Sequence, residues 1–81
     1  MRVDVRLFAQ ARERAGRGET RLELPEGSLV SDALTALERA HPGLAELRPH
    51  LAIAIDGALA GVADRLGEGS ELALLPPVSG G

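Results

Sequence analysis

From Arg2 to Phe8 apolar and polar side chains alternate, with Val3, Val5 and Leu7 on one face and Asp4, Arg6 and Phe8 on the other. A period of two predicts a half-buried strand. Gln10 to Ala15 predicts a short helix before the turn Gly16-Arg17-Gly18, and Thr20 to Leu24 alternates again, with Leu22 and Leu24 inward. The two alternating runs form a hairpin-like pair closed by Pro25. Glu26-Gly27-Ser28 is punctuation, and Ser28 is a candidate N-cap, with Asp32 placed in the first turn where its charge suits the helix dipole. Val30, Ala33, Leu34, Leu37 and Ala40 then recur at helical spacing, giving one apolar stripe that ends at His41-Pro42-Gly43. Leu51, Ile53 and Ile55 begin a third strand, and Asp56-Gly57 is a strong hairpin signal. Ala58 to Gly61 reads as a brief return strand, Ala63 to Gly69 as a looping connection, and Glu71 to Leu75 as the last strand, with Leu72 and Leu74 inward.

This order describes an α+β layer in which one main helix covers one face of a mixed sheet of about four to five strands, the ubiquitin-like or β-grasp arrangement. Residues 1–75 form the domain and residues 76–81 a protruding tail. The opposite sheet face has no second helix to cover it. Strand parity places Phe8 and Leu75 there, and Leu59, beyond the turn, joins them in an apolar patch at the root of the tail. Exposed clusters of large apolar residues mark interaction surfaces, and aromatic anchors are common in them. The competing reading tucks Phe8 under the short helix as a satellite core residue.

The tail, Pro76-Pro77-Val78-Ser79-Gly80-Gly81, carries the candidate chemistry. Two glycines leave a terminal carboxylate with no side chain beside it, so Gly80 and Gly81 can thread a tunnel too narrow for a Cβ. That carboxylate is ionised at neutral pH and is a poor electrophile until an adenylate replaces the oxyanion. An ATP-using partner is therefore implied, with no cofactor bound permanently to this chain. Pro76 and Pro77 fix φ and remove two backbone donors, so the tail neither continues the strand nor forms a helix. Extended, six residues reach roughly 18–20 Å. The plainer alternative is a frayed terminus.

Composition narrows the field. The 81 residues make one small domain, 44% apolar with a single aromatic residue, so the core must be aliphatic and little room remains for an internal cleft. There is no cysteine, which excludes disulfides, thiolate catalysis and a side-chain persulfide. Sulfur, if carried, must sit at the C-terminus. His41 and His50 have no metal-ligand spacing with a carboxylate, and no metal site is expected. The net charge of −3 and the lack of a basic run argue against nucleic acid, and partners are expected to be proteins. All nine basic residues are arginine, so no lysine side chain can accept an isopeptide bond. No segment has the roughly 18 apolar residues of a membrane span and no signal-peptide core is present, so the chain reads as cytoplasmic. No Ser-His-Asp set, paired-carboxylate site or phosphate loop is present.

Two segments resemble the small sulfur-carrier subunits of molybdopterin synthase: Arg6-Leu7-Phe8-Ala9-Gln10-Ala11-Arg12-Glu13, and Leu66 through Leu75 running into the double-proline, double-glycine tail. The chain departs from that pattern at Asp56, where Asn is frequent, and at Ser70, where Asp is usual; both residue types suit turns. The resemblance implies that a ubiquitin-activating-like adenylyltransferase activates Gly81 with ATP and that a sulfur donor protein converts it to a thiocarboxylate. The tail would then enter the large synthase subunit and deliver sulfur to cyclic pyranopterin monophosphate. It implies that Phe8, Leu59 and Leu75 contact partners with Pro76, Pro77 and Val78, and that Arg12 is a polar contact at the rim. It further implies no catalysis by this chain alone and a heterotetramer with the large subunit. Two rivals share the terminal chemistry: a thiazole-pathway carrier, and a ubiquitin-like modifier joined to target lysines through Gly81. An interaction module with an inert tail is the third.

Overall fold

The structure, a computed structural model, describes residues 1–77. Along the chain run β1 (Arg2–Leu7), α1 (Ala9–Ala15), β2 (Glu19–Glu23), α2 (Val30–Ala40), two single-turn 3-10 helices (Pro42–Leu44 and Arg48–His50), β3 (Ala52–Ile55), β4 (Ala58–Ala60) and β5 (Glu71–Leu75). The five strands form one sheet in the order β2-β1-β5-β3-β4. β1 and β5 pair in parallel at the centre, and the other neighbours are antiparallel. This is the ubiquitin-like β-grasp arrangement expected from the alternating pattern.

Alternation decides which face is buried. Val3 and Val5 from β1 and Leu72 and Leu74 from β5 are fully buried, and Leu7 nearly so, against Val30, Ala33, Leu34 and Leu37 of α2. Each such aliphatic contributes about 1.5–3 kcal/mol relative to exposure. The expected helix stripe ends one turn early, because Ala40 is exposed while Ala36 is half-buried. The chain leaves the helix at His41 and turns back, and Leu44 fills the place beyond Leu37.

The start of α2 also differs from expectation. Leu29, not Ser28, is the N-cap residue, and Asp32 supplies the side-chain cap by accepting the Leu29 N–H at 2.8 Å through Oδ2. Ser28 is buried and donates its hydroxyl to the Pro25 carbonyl at 2.7 Å. The next two helix N–H groups, of Val30 and Ser31, donate to the carbonyls of Asp64 and Val62, both at 2.9 Å. Backbone from the β4–β5 connection thus satisfies the helix start. Leu66 anchors that connection: it is buried, and its N–H donates to the Ser28 carbonyl at 2.9 Å. A stretch expected to be a loop carries a core residue.

The Asp56-Gly57 turn forms as expected, with both residues at positive φ, 49° and 85°. Two consecutive positive φ values give a type I′ turn, which matches the twist of the β3–β4 hairpin.

Candidate functional site

The tail leaves from the middle of the sheet, since β5 lies between β1 and β3 and its last residue, Leu75, is followed by Pro76 and Pro77. Beside it β1 stops at Leu7, one residue earlier than the alternation predicts. Phe8 is still extended (φ −124°, ψ 156°) and donates its N–H to the Leu74 carbonyl at 3.1 Å. Its own carbonyl accepts the N–H groups of Ala11 and Arg12 at 3.1 and 3.3 Å. At the first position of α1, Ala9 takes φ 49°, a left-handed conformation uncommon for a residue with a Cβ. This bend ends the pairing of β1 and fixes Phe8 at the tail's root.

The Phe8 side chain is 42% exposed and so is not a satellite core residue. It lines a groove of about 270 Å³. Pro76 and Pro77 line it as well, as do Leu47, His50 and Leu51 from the segment before β3 and Ala9, Gln10 and Ala11 from α1. From sequence, Phe8 was expected at the tail's root beside Leu59 and Leu75; the groove it shares with the two prolines, Leu47, His50 and Leu51 was missed. Their signal was present in Pro42 and Pro49, each in the first turn of a 3-10 helix that folds the segment back toward the tail.

The open sheet face carries the other expected contacts. In register, Arg6 lies beside Ala73, Ala73 beside Ala54, and Ala54 beside Leu59. Leu75 faces Ala52 in the next row. Leu59 is 74% exposed, whereas Leu75 is half-buried because it sits in a central strand with neighbours on both sides. From strand spacing and rise, Leu59 is about 12 Å from Leu75. Alanines form the floor between them, so the patch is one face with two raised ends.

The rest of that face is polar. Arg2, Asp4 and Arg6 on β1 face Glu23, Arg21 and Glu19 on β2, three cross-strand pairs of opposite charge. Arg21 reaches Asp4 at 3.2 Å, and Arg6 reaches Glu71 at 3.6 Å. Such exposed pairs contribute little singly, but they leave this half of the sheet neutralised. It forms a broad basin of about 640 Å³, larger than the groove yet away from the tail's root.

Arg12 is exposed on α1, and among the described residues it has no ion-pair partner. Its guanidinium lies across Gly18, where an added Cβ would come within 3.4 Å of Cζ and Nε. The arginine therefore packs over the turn before β2, and it is not among the residues that line the groove. Val78, Gly80 and Gly81, the remaining expected site residues, lie outside the described residues. Among the described residues no three His, Cys, Asp or Glu side chains converge as metal ligands, and no helix is long and apolar enough to cross a membrane.

The chain is 39% identical to small archaeal modifier protein 1 of Haloferax volcanii, over 98% of this chain and all of that protein. The crystal structure of that modifier superimposes with a TM-score of 0.86 at 37% identity, covering both chains fully. The chain is also 35% identical to the molybdopterin synthase sulfur carrier subunit of Chlamydomonas reinhardtii, over the full length of both. A chain in the complex of subunits 1 and 2 of molybdopterin-converting factor from Helicobacter pylori matches with a TM-score of 0.68 at 28% identity, again over both full lengths. Residues 5–81 match the ThiS family, spanning β1 to the last glycine, and by that match, with its β-grasp sheet, the chain belongs to the ThiS family.

Proposed function

We propose that the chain is a sulfur carrier for molybdenum cofactor synthesis. The observation that carries this reading is the Gly80-Gly81 terminus, led by two prolines out of the central strand beside an exposed aromatic residue. A ubiquitin-activating-like adenylyltransferase joins the Gly81 carboxylate to AMP and releases pyrophosphate from ATP. A persulfide on a donor protein then displaces AMP to form an acyl disulfide, and a second thiol cleaves its S–S bond, leaving a thiocarboxylate and a disulfide. With the chain docked on the large molybdopterin synthase subunit, the tail's sulfur bonds to cyclic pyranopterin monophosphate, and water cleaves the acyl–sulfur bond, leaving sulfur on the pterin and a carboxylate on Gly81. This chain supplies the acyl group and the docking face and is no catalyst by itself; acid–base groups come from the partner. With no cysteine in the chain, no internal thiol can capture the activated acyl group. The cycle runs in the cytoplasm, and two carriers with two large subunits make the working complex. The relatives named as synthase sulfur carriers and the two-subunit converting-factor complex support this destination.

A second reading has its own support in the relative named as an archaeal modifier. There the activated Gly81 carbonyl passes to a lysine of a target protein instead of to sulfur. Intact-mass spectrometry separates the two. The chain is incubated with ATP, a sulfur source and the cognate activating enzyme, and the large subunit and pterin are added afterwards. Replacement of one oxygen by sulfur, reversed by the acceptor, is the carrier result. A sulfur gain that the pterin acceptor leaves untouched, or adducts on target lysines, would overturn the molybdenum-cofactor destination.

A further inference from the structure

The groove at the tail's root has a chemistry that its neighbours lack. No Asp, Glu or Arg lines it, and its only polar side chains are those of Gln10 and His50. The basin on the same molecule is lined by Asp4, Arg6, Arg17, Glu19, Arg21 and Glu71. At about 270 Å³ the groove lies just below the roughly 300–1,000 Å³ of small-molecule sites, a size suited to a side chain. Ala9, beside Phe8 on its wall, is one of only two non-glycine residues with positive φ among the described residues. Such strain concentrates at functional sites.

The length of the tail says what must cover it. Pro77 forms part of the groove, and residues 78–81 continue from there. Fully extended, those residues reach only about 13–14 Å. A protein that closes around Gly81 therefore brings its surface within about 14 Å of the groove, close enough to cover it. We propose that the groove is a socket for one apolar side chain, branched aliphatic or phenyl, projecting from the protein that receives the tail. The inference rests on the reading that Gly81 is delivered into a partner. It adds Leu47, His50 and Leu51 to the docking surface, as the wall opposite Phe8.

Tryptophan at Gln10 or His50, both exposed at the groove, fills the socket without disturbing the core. The full-length chain, Gln10→Trp, His50→Trp and a control, Arg39→Trp in a separate depression beside Pro25, are titrated against the purified large molybdopterin synthase subunit by calorimetry. Both groove variants are expected to bind on the order of tenfold more weakly or worse, with the control unchanged and all melting temperatures alike. Groove variants that bind like the unaltered chain would overturn the socket while leaving the carrier reading standing. An unaltered chain with no affinity for the large subunit would remove the receiving partner and overturn both. Self-association of the unaltered chain that Gln10→Trp abolishes, seen by sedimentation, would assign the groove to a second copy instead.

Discussion

Asp56 holds Glu71 twice: its N–H donates to the Glu71 carbonyl at 2.9 Å, and its Oδ1 accepts the Glu71 N–H at 2.9 Å. One residue thus shapes the β3–β4 turn and fixes the first residue of the strand that ends in the tail. Asp56→Asn keeps an acceptor oxygen and tolerates positive φ, so its stability should stay within about 0.5 kcal/mol of the unaltered chain. Asp56→Ala loses the bond and adapts poorly to φ 49°, and should cost about 1–2 kcal/mol in urea unfolding with an unchanged m-value.

Ala9→Gly should invert a common rule. Within a helix, glycine is less stable than alanine by roughly 0.5–1 kcal/mol. At φ 49° a Cβ is the source of strain, so Ala9→Gly is expected to be neutral or to stabilise by up to about 1 kcal/mol, read from thermal unfolding. A loss as large as that of an ordinary helix substitution would place Ala9 in an unstrained conformation.

The three apolar contacts should separate by their burial. Phe8→Asp and Leu59→Asp alter exposed side chains and should weaken docking while stability changes by less than about 1 kcal/mol. Leu75→Asp puts a charge on a half-buried position of a central strand and should lower stability by more than about 1 kcal/mol as well as weaken docking. Binding titrations paired with chemical unfolding read both quantities.

Deleting Gly81 should abolish sulfur loading, measured by intact mass, while unfolding and large-subunit docking stay close to those of the full chain. Sulfur loading that survives the deletion would show that the new Gly80 carboxylate serves as well and that Gly81 itself is not required.

Leu66→Ala tests a residue that lies outside any strand or helix yet is only 3% exposed. Its truncation should cost about 2–5 kcal/mol, as in any well-packed core. Unfolding that is barely affected would mean that the β4–β5 connection contributes little to the core.

What was readable in the sequence was whatever repeats. The alternation in β1 and β5 and the spacing in α2 were sufficient to place the sheet, its buried face and the helix that covers it. What escaped was non-repeating. Ser28 matched an N-cap by residue type, but backbone from Asp64 and Val62 closes the helix start, a contact distant in sequence. Parity put Leu75 with the exposed residues because it reports a face and not how crowded that face is. The groove combined Phe8, Leu47 and Pro76, which no periodic pattern joins, and only the parallel pairing of β1 with β5 and the two 3-10 turns bring them together.

The central place of β5 has a mechanical consequence. A partner that withdraws from the tail pulls along β5, and that pull divides between the ladder to β1 on one side and the ladder to β3 on the other. Both ladders run beside the strand and take the load in shear, where their hydrogen bonds must yield together. An edge strand under the same pull would peel away one bond at a time. The insertion and release proposed for the tail would therefore tug on a strand held from both sides, without unravelling the domain.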